Sequence, residues 1–242
     1  MTDSKERFSD HAQAYAAHRP GYPPEAIDCA LERLGELRTL IVADIGAGTG
    51  ISSRLFAERG ARVIAIEPNA EMRAAARSHP SIEWRNGTAQ ATGLESGSVD
   101  LVVACQAFHW FADDGAVHEM RRIACRRAAV LQYERDARDA FTAAYGEIVH
   151  RYEIDDTEAL RLRALTVFAG FPNARVTRHE FLYGQQLDRE ALFGRIASTS
   201  YLPQRGATAD AMRAEVGALV DRFAVDGTVA MAMRAIVLRA DW

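Results

Sequence analysis

Lysine is nearly absent from this chain, cysteine is scarce and no long apolar run occurs, and each scarcity excludes something. Of the 29 basic residues only Lys5 is a lysine, which leaves 28 arginines. They form no basic block. The one cluster, Arg121, Arg122, Arg126 and Arg127, reads as a solvated face balanced by Glu119. With a net charge of −4, the chain lacks the electrostatic footprint that phosphate backbones require, so no nucleic-acid partner is expected. Cys29, Cys105 and Cys125 make no CxxC pair and no metal-ligand spacing, which fits a reduced compartment and implies no metal. No apolar stretch reaches membrane-spanning length, and the polar opening Met1–Arg7 leads into no apolar segment. The expectation is a cytoplasmic protein without a membrane partner, either monomer or homodimer.

What is present is an alternation. At 242 residues, 48% hydrophobic and 26% charged, the chain is expected to form one elaborated α/β domain over 1–242. Ile41–Ile45, Arg62–Glu67, Ile82–Arg85, Val99–Cys105 and Ala128–Tyr133 are short runs suited to buried parallel strands. Helical spacing separates them, with Ala70–Ser78 and Asp113–Ala124 as examples. This rhythm predicts a doubly wound, Rossmann-like sheet. It breaks after about residue 136. Two helical segments, Phe141–Tyr152 and Thr157–Phe168, follow in succession, then a strand over Arg175–Tyr183. Helices over Arg189–Ser198 and Asp210–Phe223 precede a closing strand, Val229–Leu238. Residues 1–40 are read as an N-terminal cap segment, 41–136 as a cofactor-binding half, 137–205 as a substrate cap with the sixth strand, and 206–242 as the last helix and strand.

The densest signal is Val42-Ala43-Asp44-Ile45-Gly46-Ala47-Gly48-Thr49-Gly50. Glycine lets the backbone turn sharply after a strand and leaves room for a ligand against it. A second acid, Glu67, ends the next apolar run 23 residues after Asp44, the spacing at which nucleotide folds place a ribose-binding carboxylate. A dinucleotide fingerprint would need a third spaced glycine, but Ile51 follows Gly50. Asp44 would repel a pyrophosphate and suits an ammonium group. The turn therefore points to S-adenosylmethionine rather than NAD.

At these residues the chain resembles the class I S-adenosylmethionine-dependent methyltransferases. The likeness is nearest to the type 11 small-molecule group that includes trans-aconitate methyltransferases. Asp44–Gly50 is similar to the family's first motif, Ile66-Glu67-Pro68-Asn69 to its second-strand acid and Asn86–Ala91 to its adenine-edge motif. Ser98–Phe111 is similar to its fourth-strand motif, and Tyr15…Arg19-Pro20…Tyr22-Pro23 to its N-terminal cap. The resemblance implies a seven-stranded sheet with an antiparallel last strand and a helical cap. It implies transfer of a methyl group to an O, N or C nucleophile of a small molecule, releasing S-adenosylhomocysteine.

Implied cofactor contacts are Asp44 toward the methionine amine, the backbone of Gly46, Ala47, Gly48, Thr49 and Gly50, and Glu67 on the ribose hydroxyls. Thr88 and Ala89 fall where the family reads the adenine edge, with Pro68 or Met72 flanking the ring. Arg19 is the candidate partner of the methionine carboxylate; Tyr15, Tyr22 and Gln106 complete the cofactor set. His109 has two readings: a general base for the acceptor, or a hydrogen-bonded histidine that shapes the pocket. Phe108, Trp110 and Tyr201 are candidate pocket residues, by cation–π attraction or by packing alone. The chain departs from relatives at Gln132-Tyr133, where they often show a Trp-Asn pair, so their acceptor specificity does not carry over. The basic cap residues Arg151, Arg161, Arg163, Arg195 and Arg205 suit an acidic acceptor or a solvated face. The same motifs would also serve an enzyme that uses the aminobutyrate arm of the cofactor, or a non-catalytic binding protein.

Overall fold

The computed structural model describes residues 21–155, 157–199 and 201–242. Tyr15 and Arg19 therefore lie outside the described residues. Seven strands form one sheet in the order β3-β2-β1-β4-β5-β7-β6: β1 (Ile41–Ile45), β2 (Arg62–Ile66), β3 (Ile82–Arg85), β4 (Val99–Cys105), β5 (Ala124–Arg135), β6 (Arg175–Asp188) and β7 (Thr228–Asp241). The first five pair in parallel. β7 enters antiparallel between β5 and β6, as the resemblance implied. From β1 the chain builds outward to β3, then returns to start β4 on the other side of β1. The crevice above the C-terminal ends of β1 and β4 is therefore the topological switch point, where open α/β sheets bind ligands.

Helices cover both faces. On one, α1 (Pro24–Leu31) and α2 (Ile51–Glu58) bury Ile27, Leu31 and Phe56 against Val42, Val63 and Leu101. On the other, α4 (Asp114–Ile123) and α6 (Thr157–Ala169) bury Met120, Ile123 and Phe168 against Ile45, Val102 and Val130. A third cluster sits at the C-terminal end of β5 and the N-terminal end of β7. There α5 (Ala140–Tyr152), α7 (Arg189–Ala197) and α8 (Ala207–Phe223) pack Phe141, Ile196 and Val216 around Met231 and Met233. The helix α3 (Ala70–Ala74) links β2 to β3.

Several elements differ from the sequence reading. Pro24–Leu31, assigned to a cap segment, is a sheet-covering helix, with Pro24 at its first turn, where a missing N–H costs nothing. The helix expected through Ser78 ends at Ala74. Four further residues would carry the chain about 6 Å along the axis, whereas Ile82 must pair beside Val63. Strands β5, β6 and β7 all run longer than their apolar runs, because antiparallel pairing on β7 recruits polar residues from Arg175 to Asp188. Arg127 does not belong to a solvated face. It is 4% exposed, pairs with Asp241 and donates to the carbonyls of Ala30 and Glu32, each at 2.8 Å. It thereby satisfies carbonyls that the end of α1 leaves without helical donors. Among the described residues no helix is long and apolar enough to cross a membrane.

Candidate active site

The glycine turn occupies the switch point. Gly46, Gly48 and Gly50 have φ of 69°, 58° and 80°, a region that L side chains disfavour. The amides of Gly46 and Ala47 donate to Ile66 O at 2.9 and 3.2 Å, which folds the turn over the end of β2. A Cβ on Gly46 would lie 2.8 Å from Ala107 Cβ, and one on Gly50 2.8 Å from the Trp84 ring. Glycine at both places is thus a matter of space as well as φ. Gly50 then caps α2 and faces Trp84, so it shapes the turn without lining the cavity.

Glu67 ties the second strand to this turn. Its Oε2 accepts Gly48 N–H at 2.9 Å and its Oε1 accepts Asn69 N–H at 2.9 Å. Burial pushes the carboxyl above its ordinary pKa, and those two amides oppose the shift. Each oxygen retains acceptor capacity for a further donor. The side chain of Asn69 accepts from Glu71 and Met72 amides and so starts α3, which brings Met72 to the cavity wall.

Asp44 is set back from the cavity surface. It is fully buried behind the turn and is absent from the cavity lining among the described residues. Ser52 and Ser53 hydroxyls both donate to its Oδ2 at 2.7 Å, while Oδ1 has no hydrogen-bond partner among the described residues. Burial raises its pKa to about 6; the serines oppose the rise and the nearby Glu67 charge adds to it. Ser52 itself lines the cavity and links it to the buried carboxylate.

The opposite wall is the loop after β3. Thr88 and Ala91 exchange backbone hydrogen bonds at 3.2 and 3.1 Å, and Gln90 reaches Asp113 at 2.9 Å. Behind the loop, Glu119 accepts the amide and hydroxyl of Thr92 and pairs with Arg122 at 2.7 Å. The Arg122 guanidinium, helped by Thr92, holds the Glu119 carboxyl down to about 2. At the end of β4, Gln106 adopts φ 51°. Its Nε2 donates to Tyr133 O at 2.9 Å, and its buried Oε1 has no partner among the described residues. Thr49 Oγ1 is in the same condition.

The structure brings most of the anticipated cofactor residues around one cavity. Gly46, Ala47, Gly48 and Thr49 form one wall, and Glu67, Pro68 and Met72 a second. Thr88 and Ala89 form a third, and Gln106, Trp110 and Tyr22 complete the ring. Phe108 and His109 are not in this lining. Phe108 is 2% exposed and meets Phe111 and Phe168 edge-on at 5.7 Å, because the short turn Phe108–Trp110 sends alternate rings to opposite sides. It is a core residue rather than a pocket residue. His109 is buried against Trp110, ring centroids 4.7 Å apart. Sequence reading missed Ser52 and Tyr133 as lining residues. For Tyr133 the available signal was its place near the C-terminal end of the strand beside β4, and Ser52 lies in the first turn of the helix that follows the glycine turn.

Tyr133 also lines a second cavity, of about 460 Å3, walled by β5, α5, α6 and α7. Tyr201 lines this second cavity and not the first.

A parallel sheet with an antiparallel seventh strand, and a glycine turn tied to a second-strand carboxylate, define a methyltransferase-type fold. Residues 43–131 match the methyltransferase domain model. The chain is 34% identical over 197 residues to an uncharacterized methyltransferase of Mycobacterium tuberculosis, covering 80% of this chain and 76% of that one. The chain belongs to the methyltransferase family. Among solved structures, a protein from Anaeromyxobacter dehalogenans described provisionally as a type II methyltransferase superposes with a TM-score of 0.67 at 22% identity, covering 92% of this chain and 97% of that one. A Haemonchus contortus phosphoethanolamine N-methyltransferase, solved with phosphomonomethylethanolamine and S-adenosylhomocysteine, shares the fold at a TM-score of 0.51 and 15% identity, covering 99% of this chain and 58% of that one.

Proposed function

We propose that the protein binds S-adenosylmethionine and transfers its methyl group to an O, N or C nucleophile of a small molecule. One observation carries this reading. The first-strand turn, the second-strand carboxylate and the loop after β3 line a single cavity whose unpartnered buried polar atoms, Thr49 Oγ1 and Gln106 Oε1, match a ligand rich in hydroxyl and ammonium groups. The cofactor, when bound, supplies an electrophilic methyl on a sulfonium with a neutral thioether as leaving group.

The chain's own residues then bind, orient and exclude water. Glu67 accepts ribose hydroxyls through the acceptor capacity that Gly48 and Asn69 leave on its oxygens. Met72 and Pro68 flank the base, and Thr88 and Ala89 meet its edge. The faces of Trp110 and Phe111 offer a cationic sulfonium an attractive and dry surface. Tyr133 lines both cavities, and an acceptor in the second would lie beside the cofactor across this shared wall. In-line transfer needs alignment and desolvation first. His109, outside the lining of both cavities, would act through Trp110 as a shaping residue rather than as a base.

Calorimetric titration with S-adenosylmethionine tests binding, and analysis of the released nucleoside tests the chemistry. S-adenosylhomocysteine supports methyl transfer; methylthioadenosine would replace it with use of the aminobutyrate arm.

A further inference from the structure

We propose that the second cavity takes an acidic acceptor with an apolar body, its carboxylate or phosphate held by Arg161 and Arg135. The inference rests on the methyl-transfer reading and adds the substrate class. Arg135 ends β5 and Arg161 lies on α6, and both line this cavity.

The charge inside the cavity is unbalanced. Of its three acidic lining residues, Glu134 is paired with Arg234 at 2.8 Å, and Glu153 is hydrogen-bonded to His150 at 2.7 Å. The third, Glu147, is exposed on α5. Neither Arg135 nor Arg161 enters an ion pair among the described residues, in a chain where many other arginines do. Arg161 Nε is buried and has no hydrogen-bond partner there. A buried guanidinium N–H without an acceptor is rare in folded proteins and calls for an explanation. The Arg135 guanidinium lies 5.9 Å from the centroid of the Tyr145 ring, which orients it without neutralising it.

A fork of N–H donors is the recognition element suited to a planar carboxylate or a phosphate. Leu162, Leu165, Val149 and Met233 line the same cavity, so the rest of the ligand is expected to be apolar. Tyr133, shared with the cofactor cavity, fixes the end at which the reacting atom would sit. The acid itself, or a nucleophile carried on the same molecule, would receive the methyl group. The thioether leaves with the bonding electrons, and the acceptor atom gives up its negative charge or its proton.

The test uses the full chain and S-adenosylmethionine labelled in the methyl group. The probes are medium-chain and aromatic carboxylates, their neutral amides and the matching phosphomonoesters. Transfer to acids but not to amides is the expected result, and the carboxylate and phosphate arms separate the two sources of charge. Arg161→Gln and Arg135→Gln should each raise the acceptor KM at least tenfold and leave the cofactor dissociation constant within twofold. Methylation of amides as readily as acids would overturn the proposal, as would an unchanged KM in both variants. Failure of every acid to be methylated, or to bind the cofactor-loaded protein below about 10 mM, overturns it equally. The methyl-transfer reading fails by a different result: no heat on titration with S-adenosylmethionine, or methylthioadenosine as product.

Discussion

Glu67 Oε2 accepts the amide hydrogen of Gly48 at 2.9 Å, so the acid of the second strand braces the turn that follows the first. One carboxylate thus holds the loop in shape and presents acceptor capacity to a ligand. Glu67→Gln keeps the length but puts a donor where an acceptor is needed. The expected outcome is a rise of roughly 10- to 100-fold in the S-adenosylmethionine dissociation constant, read by calorimetry. Unchanged affinity would remove the ribose role.

Asp44 should make both stability and cofactor affinity depend on pH. Its folded pKa is about 6, above the unfolded value of about 3.9. The folded state therefore holds this proton more tightly, and the contribution of Asp44 to stability is fully present below about pH 4. It declines as pH rises through about 6, by about 3 kcal/mol in all. Asp44→Asn should flatten that slope in chemical denaturation. Cofactor affinity should run the other way, because an ammonium group favours the ionised carboxylate. Binding should tighten from pH 5 to 7 in the wild type and not in the variant. Parallel profiles would show that the carboxylate does not sense the ligand.

Gly46→Ala should destabilise by about 1–3 kcal/mol, since it combines a positive φ with a Cβ 2.8 Å from Ala107 Cβ. The paired control is Gly97→Ala, where φ is 62° but a Cβ would have nothing within 4 Å. Thermal denaturation of both variants separates crowding from backbone strain. Only Gly46→Ala should also weaken cofactor binding.

Glu119→Gln weakens the pairing with Arg122 and the anchoring of Thr92. A loss of about 1 kcal/mol, or roughly 2–4 °C in Tm, is expected for a chain of this size. Cofactor affinity should fall several-fold at the same time, because the loop bearing Thr88 and Ala89 loses its backing. The carboxyl sits near 2 in the fold, below the ordinary unfolded value of about 4.3. Its contribution is therefore present at neutral pH and disappears as pH falls through 2, so the difference between variant and wild type should vanish in strong acid. A difference that persists there would assign the loss to packing.

The cofactor-binding half was legible because its signals are local. A strand buried on both faces reads as a short β-branched run, and a turn with three positive φ angles at Gly46, Gly48 and Gly50 reads as glycine. What escaped depends on partners distant in sequence. Arg127 looked solvated beside Arg126, yet its acceptors lie at Ala30, Glu32 and Asp241. Asp44 was read correctly as an acid before a turn, but its screening by Ser52 and Ser53 depends on how α2 docks. Phe108 and Trp110 are two residues apart and face opposite ways, which a helical or strand period cannot foretell for a single short turn. Tyr201 found a cavity, though the adjoining one rather than the cofactor's.

The placement of β7 bears on how the chain is made. In the sheet β6 touches only β7, and β7 begins 40 residues after β6 ends. During synthesis from the N-terminus, β5 and β6 must therefore wait with open edges until β7 emerges and joins them. The parallel half can assemble around β1 while that edge is still exposed, which makes the interval before β7 arrives the time of greatest exposure to misassociation.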